Sequence, residues 1–273
     1  MKRVVLLTSS ELRHTYFRMY LGLQKNIEVI ASFCESSDKN LVHKIKNSAQ
    51  EKLRNRHLQV RHQVEKDFFQ LFCDHAVDLS NPFAISKGDI NTPEIIKNIV
   101  YLNPDIIISY GSSIIKPPLI DSFPDRFVNV HLGLSPYYRG SGTNFWPFVN
   151  NTPEYAGVTF MKIDAGIDTG EVIHQIRPEM YLHDTFHVIC NRLLLDMTSK
   201  MTKLIHNFEN LNKAPQINQS EGDLYYTNLD FTEVSVARLY DNFKQGVISR
   251  YLKHKKARDL AAPIIQNPAF NNE

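Results

Sequence analysis

Short apolar segments alternate with longer amphipathic segments over most of the chain, and this alternation limits the fold more than any other feature. RVVLLTS (3–9), EVIASFCE (28–35) and DIIISYGSS (105–113) have the length and apolar content of buried strands. Helical patterns separate them, as in ELRHTYFRMYLGLQ (11–24). Strands that alternate with helices of this length predict an α/β fold with a mostly parallel, twisted sheet. In such a sheet, ligands bind at the carboxyl ends of the strands.

Two later helices have clear start signals. Thr92 precedes Pro93 in DINTPEIIKNIVYLNP, which predicts an N-cap followed by proline at the first helical position. DTFHVICNRLLLDMTSKMTKLIHNFEN (184–210) has the period of a long amphipathic helix that starts at Asp184 or Thr185.

The length of 273 residues and the hydrophobic content of 42% allow one large domain with a smaller appendage. Because the pattern weakens after the long helix, we predict a main domain over 1–206 and a C-terminal extension of hairpin and helix over 207–273. The net charge of +2 gives no global field that would attract nucleic acid. The three cysteines form no CxxC pair, and no apolar run approaches the ~20 residues of a membrane span. We expect a cytoplasmic protein without a membrane or nucleic-acid partner, with a homodimer as one possible assembly.

The segment FVNVHLGLSPYYRG (127–140) places two polar side chains at the end of a predicted strand. Asn129 and His131 are two residues apart, and a strand alternates its faces with period two. Both side chains therefore leave the strand on the same side, just before a loop rich in glycine and proline. An amide and an imidazole at this place are a candidate oxyanion donor and a candidate acid or base, although a histidine in a strand is more often structural.

A second candidate segment is KIDAGIDTGEVI (162–173), in which two aspartates flank a glycine turn. Its ordinary interpretation is an Asp-Gly turn that joins two strands. A loop of this kind can also direct a carboxylate into a cleft. If Asp168 reached His131, it would orient the imidazole ring and favour its charged form.

Other motifs have simpler explanations than the functions they resemble. GSGTNF (140–145) lies far from the first strand, where a dinucleotide fingerprint belongs, and we reject NAD binding. HDTFH (183–187) lacks the glutamate and the third ligand of a zinc site, so we expect a capped helix and no metal. The basic segments 39–62 and 244–258 are interpreted as solvated surfaces, with nucleotide phosphate as the alternative ligand.

Two long segments together resemble the catalytic half of the folate-dependent formyltransferases. NVHLGLSPYYRGSGTNFWPFVN and AGVTFMKIDAGIDTGEVIHQ contain Asn-x-His, then a Pro-x-Tyr-Arg-Gly-like turn, then Asp-x-Gly-x-Asp-Thr-Gly, in family order and spacing. The resemblance covers roughly 1–206 and is strongest over 90–175. It departs from the frequent family run Asn-x-His-Pro-Ser-Leu-Leu-Pro at Leu132, Gly133 and Ser135. The family's catalytic triad survives this change, but any role of the usual serine hydroxyl is lost or passes to Ser135.

The resemblance implies a Rossmann-like formyltransferase fold and a catalytic triad of Asn129, His131 and Asp168. It also implies 10-formyltetrahydrofolate as the co-substrate, without a metal. The residues implied to hold the pterin belong to two loops: Tyr110, Gly111, Ser112 and Ile114 in the first, and Ile163, Asp164, Gly166 and Ile167 in the second.

Within the family, the chain length and the segment GLSPYYRGSGTNFWPF most resemble bacterial enzymes that formylate nucleotide-linked 4-amino sugars. Enzymes of pseudaminic-acid-type pathways, which make surface glycans, are one such group. The segment after 206 looks too short for the C-terminal domain of methionyl-tRNA formyltransferases. A tRNA-directed enzyme, a formyltetrahydrofolate hydrolase and a non-catalytic sensor stay as alternatives. The candidate acceptor-binding residues are Arg13, His14, Tyr138 and Arg139. Arg13 and His14 have an equally good interpretation as polar residues of a surface helix. Tyr138 and Trp146 are candidates to stack on the sugar or base of the acceptor, with the protein core as the alternative place for Trp146.

Overall fold

The computed structural model describes residues 1–36, 52–164, 166, 168–216 and 224–270. The strands in these residues are β1 (Lys2–Ser9), β2 (Ile27–Glu35), β3 (Pro82–Ile85), β4 (Ile106–Tyr110), β5 (Phe127–His131), β6 (Tyr138–Gly140), β7 (Val158–Lys162), β8 (Val172–Ile176) and β9 (Leu224–Tyr226). The helices are α1 (Leu12–Gly22), α2 (Lys52–His75), α3 (Pro93–Leu102), α4 (Pro117–Ser122), α5 (Trp146–Val149), α6 (Phe186–His206), α7 (Glu233–Lys244), α8 (Val247–Lys253) and α9 (Lys255–Ala261).

Seven of the described strands form one sheet in the order β3-β2-β1-β4-β5-β7-β8. The first five are parallel to one another, whereas β7 is antiparallel to β5 and β8 is antiparallel to β7. The predicted α/β fold with a mostly parallel sheet is therefore confirmed. The two remaining described strands, β6 and β9, pair in parallel in a small separate sheet.

Helices cover both faces of the large sheet, which explains why its strands are continuous apolar runs. Val4 and Leu6 of β1 pack with α1, α2 and α6 on one face, while Val5 and Leu7 pack with α3 and α4 on the other. Because all four side chains are fully buried, a shift of β1 by one residue would exchange the two sets.

The two predicted helix starts are present. The Thr92 hydroxyl accepts a hydrogen bond from the Ile95 N–H, and Pro93 is the first residue of α3. Thr185 caps α6 by accepting from the Val188 N–H. The alternative cap, Asp184, instead binds the Arg192 guanidinium at 2.8 Å.

The C-terminal extension packs against the rest of the chain through an apolar cluster of its own. Helices α7 and α8 bury Leu239 and Tyr251 against Trp146, Phe148 and other residues of the main domain. The domain boundary at 206 stays a prediction. No helix in the described ranges is both long and apolar enough to span a membrane.

Phe160 of β7 tests the contribution of the central core. Its side chain is fully buried, so Phe160→Ala should lower the free energy of unfolding by about 3–5 kcal/mol. Tyr101→Ala on α3 is the control, because Tyr101 is 89% exposed and its loss should change stability by about 0.5 kcal/mol or less. Urea unfolding followed by circular dichroism measures both. Equal effects of the two substitutions would contradict this packing.

Candidate active site

Strand β5 presents the two polar side chains that the sequence singles out. It lies between β4 and β7, with Asn129 opposite Ser109 on one side and Met161 on the other. His131 is the last residue of the strand and is 6% exposed. A Cβ on Gly133 would come within 2.6 Å of His131 Nε2, so the chain needs glycine where it turns past the ring.

Asp168 returns from the loop between β7 and β8 to meet both side chains. Its Oδ2 lies 3.2 Å from His131 Nδ1, and its Oδ1 accepts a hydrogen bond from the Asn129 amide at 3.4 Å. The backbone of Asp168 is left-handed, with φ of 54°, which aspartate tolerates better than most residues. The structure thus brings together all three members of the predicted triad.

The environment of Asp168 favours its ionised form. Burial alone would raise the pKa of the carboxyl group, but the hydrogen bond and charge of His131 act in the opposite direction. The Gly140 N–H and the nearby Arg139 add to this effect. The pKa of Asp168 is therefore held below its ordinary value, and the group is a carboxylate at neutral pH.

The second nitrogen of the His131 ring also contacts the protein. Nε2 donates a hydrogen bond to the Tyr138 main-chain oxygen over 3.1 Å. Each ring nitrogen thus faces an acceptor, one on β6 and one on the Asp168 loop. The orientation of the imidazole depends on both segments.

The predicted first pterin loop follows β4, the neighbour of β5. Tyr110 is buried, whereas Gly111 and Ile114 are exposed, with Ile114 at 67%. The hydroxyls of Ser109 and Ser112 lie 3.0 Å apart and close the turn. Gly111 has φ of 73°, and a Cβ there would collide with the His14 ring.

Glu35 holds this loop in place, and the sequence interpretation missed it. The carboxylate is completely buried at the end of β2. One oxygen accepts from the Gly88 N–H at 2.8 Å and the other from the Ser113 N–H at 2.6 Å. The sequence offered one signal for this role: Glu35 is an acidic residue at the end of the apolar strand β2 in a parallel sheet, where loops from neighbouring strands come together.

The residues of the second predicted pterin loop differ from one another in exposure and in contacts. Ile163 packs beside Phe123 and Phe127, where it lines a cavity of about 140 Å³. The exposed Asp164 carboxylate accepts hydrogen bonds from the Gly166 N–H at 3.0 Å and from the Thr169 hydroxyl at 2.8 Å. Ile167 lies outside the described residues. The roles of these residues stay predictions.

The candidate acceptor-binding residues lie in two separate places. Arg13 forms an ion pair with Glu65 of α2 at 3.0 Å. His14 is buried with its ring 4.5 Å from that of Tyr110, and burial, followed by the charge of Arg13, lowers the pKa of His14 well below its ordinary value. Both side chains are engaged by the protein itself, so their role with an acceptor also stays a prediction.

The other two candidates belong to β6, beside His131. The Tyr138 side chain is buried, and its hydroxyl lies 3.0 Å from that of Thr152. Arg139 donates to Gln216 Oε1 at 3.0 Å. Trp146 is buried and stacks on Tyr226 with ring centroids 4.0 Å apart, which makes it a core residue.

Fold and site together define a class of protein: a doubly wound α/β protein with an amide, an imidazole and a carboxylate in contact at the end of a central strand. The family model described as "Formyl transferase" matches residues 2–203. The chain therefore belongs to the formyl transferase family, as the sequence resemblance predicts.

Individual relatives agree with this membership. A methionyl-tRNA formyltransferase from Desulforamulus reducens is 33% identical over 147 residues, which are 52% of this chain and 45% of the relative. The chain spans about half the length of the curated relatives it matches.

Two solved structures share the fold. A sugar N-formyltransferase from a Shewanella species has a TM-score of 0.55 at 15% identity, with 88% of each chain covered. An N-formyltransferase from Helicobacter canadensis has a TM-score of 0.53 at 19% identity, with 88% of this chain and 80% of that chain covered.

Replacement of Glu35 tests its role in holding the Tyr110 loop. Glu35→Ala removes the charged acceptor of two main-chain N–H groups, and a hydrogen bond to a charged group contributes about 1.5–3 kcal/mol of stability. We expect lower stability and faster hydrogen exchange at Gly88 and Ser113. Glu28→Ala on the exposed side of the same strand is the control. Unchanged exchange at both amides in the Glu35 variant would refute the assignment.

Proposed function

We propose that this chain transfers a formyl group from 10-formyltetrahydrofolate to the primary amine of a nucleotide-linked amino sugar. The proposed acceptor is a UDP- or dTDP-4-amino-4,6-dideoxy sugar. The observation that carries the proposal is the contact of Asn129, His131 and Asp168 at the end of β5. We further propose that the protein is cytoplasmic and takes part in bacterial surface glycan synthesis.

The three side chains fit the charge and proton changes of formyl transfer. When bound, 10-formyltetrahydrofolate supplies an activated formyl carbon and leaves as tetrahydrofolate. Attack by an amine places negative charge on the formyl oxygen, and the Asn129 amide N–H and a protonated His131 stabilise that charge. The loss of one such donor typically raises a barrier by about 2.7–4 kcal/mol.

Proton movement completes the reaction. The amine loses one proton as the new C–N bond forms, and N10 of the folate gains one as its bond to the formyl carbon breaks. While His131 is protonated, a water molecule held by Asp168 accepts the first proton, whereas a neutral His131 accepts it directly. In both cases the protonated ring can supply the proton that N10 gains. Because the pKa of Asp168 is low, its carboxylate orients His131 and stabilises the protonated ring.

The loop after β4 fits a flat, partly apolar co-substrate. Exposed Ile114 offers an apolar side chain, while Gly111 and Ser112 offer main-chain groups next to β5. Glu35 fixes the backbone of this loop at Ser113, so these groups are positioned before a ligand binds. We propose that Tyr110, Gly111, Ser112 and Ile114 hold the pterin, together with the 163–168 loop.

An amino sugar is the acceptor that we favour. The Helicobacter canadensis protein is described in complex with folinic acid and dTDP-3-aminofucose, and the Shewanella protein is a sugar N-formyltransferase. These similarities concern the fold alone. The net charge of +2 supports a small acceptor over a polyanion. Tyr138 and Arg139 of β6 are the nearest candidate acceptor residues to His131.

Formylation of an aminoacylated initiator tRNA is the second candidate. The observation that favours it is the name of the sequence relatives, which are methionyl-tRNA formyltransferases with 33% and 32% identity over 147 and 167 residues. The two candidates share the triad and differ only in the acceptor.

Triad variants test the chemical part of the proposal. His131→Ala, Asn129→Ala and Asp168→Asn should each reduce formyl transfer by at least about 100-fold, since each removes a charge-stabilising or proton-handling group. Tetrahydrofolate formation, followed by absorbance, measures the rate. A stable folate analogue should still raise the melting temperature of each variant, which demonstrates an intact fold and folate site. A variant with near wild-type turnover would remove that residue from the mechanism.

Acceptor choice is tested with both substrates in parallel. We expect transfer to UDP- or dTDP-4-amino-4,6-dideoxy sugars and a shallow dependence of KM on salt, because a sugar nucleotide presents few phosphates. Formylation of aminoacylated initiator tRNA, with a KM that rises steeply with salt, would identify the tRNA rather than the sugar as the acceptor. Formate release without any acceptor would instead indicate a hydrolase.

A further inference from the structure

The side chain of Gln216 joins two segments that lie on opposite sides of His131. Its Nε2 donates to the main-chain oxygens of Asp168 at 2.7 Å and Gly170 at 3.1 Å. Its Oε1 accepts from the Arg139 guanidinium at 3.0 Å. One half-buried carboxamide thus links the Asp168 loop to β6 with three hydrogen bonds.

These are the same two segments that fix the His131 ring. Nδ1 contacts the Asp168 carboxylate, and Nε2 donates to the Tyr138 oxygen of β6. The Gly140 N–H of β6 also donates to the Asp168 carboxylate. A change in the separation of the two segments would therefore alter every polar contact of the imidazole described above.

The backbone of the Asp168 loop needs such support. Asp168 adopts a positive φ of 54°, a conformation uncommon outside glycine. The carbonyl groups that Gln216 binds belong to Asp168 itself and to Gly170, so they bracket Thr169. Hydrogen bonds at both points hold the peptide groups that direct the carboxylate towards His131.

We propose that Gln216 is a positioning residue for the formyl-transfer site, and this inference rests on the function proposed above. Gln216 lies outside the residues 2–203 matched by the family model. It belongs to the C-terminal extension, which therefore takes part in building the active site. The side chain acts through Asp168 and β6 rather than by contact with a substrate.

A second contact of the extension acts on the same strand. β9 pairs with β6 so that Leu224 lies opposite Tyr138, and the Tyr226 oxygen accepts from the Ser141 N–H at 2.7 Å. A side chain at Gly140 would collide with the Tyr226 main-chain oxygen. Gln216 and β9 thus hold β6 from two sides, which keeps Tyr138 and Gly140 at their contacts with the triad.

Two substitutions of Gln216 separate its links. Gln216→Leu removes all three hydrogen bonds with little change in size. Gln216→Glu keeps an acceptor for Arg139 but loses the donors to Asp168 and Gly170. Gln266→Leu is the matched control, because Gln266 also lies in the extension and donates to a main-chain oxygen, that of Gln175 in β8.

We expect Gln216→Leu to lower kcat by about 10- to 100-fold, the size of effect that a small misplacement of a reacting group produces. The KM for 10-formyltetrahydrofolate should change much less. Weaker contacts with His131 and Gly140 would let burial raise the pKa of Asp168. Because the reaction needs the carboxylate, the acid limb of the kcat profile should move to higher pH. Gln216→Glu should resemble Gln216→Leu, and Gln266→Leu should match the wild type.

Wild-type kcat and an unshifted pH profile in Gln216→Leu would overturn the inference. Full activity of Gln216→Glu would also overturn it, since the bonds to the loop would then be unnecessary. If the wild-type protein transfers no formyl group to any acceptor, the proposed function fails, and hydrogen exchange still tests the positioning role. Faster exchange at the Gly140 N–H, which donates to the Asp168 carboxylate, in Gln216→Leu but not in Gln266→Leu is the expected result. Unchanged exchange there would refute the positioning role independently of activity.

Discussion

The pairing of β5 with a parallel strand on one side and an antiparallel strand on the other is the constraint on which the site depends. Parallel pairing with β4 brings the end of that strand, and the loop fixed by Glu35, alongside Asn129. Antiparallel pairing with β7 sends the chain back along β5, so that the loop before β8 can return Asp168 to His131. If β7 were instead parallel to β5, the carboxyl end of β7 would lie at the same edge of the sheet as His131. The loop between β7 and β8 would then start beside His131 and would reach it along a different path. The site thus lies where the direction of the sheet changes.

Two acidic residues beside this sheet, Glu35 and Asp168, illustrate how environment decides the role of a carboxylate. Both Glu35 oxygens accept main-chain N–H groups and the side chain has no exposure, so its task is to hold backbone. Asp168 instead contacts an imidazole and a side-chain amide and remains partly exposed. Asp168 thus faces an imidazole, a group suited to proton transfer, whereas Glu35 mainly holds main-chain N–H groups.

The sequence predicts those parts of the molecule that depend on local pattern. Strand periodicity places Asn129 and His131 on one face, and capping chemistry places the start of α3 at Thr92. The contacts of Asp168, Glu35 and Gln216 depend on chain segments that are distant in sequence, so periodicity carries no information on them. Arg13 illustrates the same limit: the sequence offers it as a candidate acceptor-binding residue, but α2 supplies Glu65 to pair with it.

The C-terminal extension is part of the physical unit that holds the site, although the family model ends before it. Tyr226 covers one face of Trp146, and α7 and α8 cover Phe148, which is fully buried. Removal of these elements would expose aromatic surface on the main domain and would free β6 from its only partner strand among the described residues. Since β6 provides the Tyr138 oxygen and the Gly140 N–H to the triad, the stability of this aromatic cluster and the orientation of His131 are coupled. The packing of the extension and the geometry of the candidate site are therefore not separable properties of this chain.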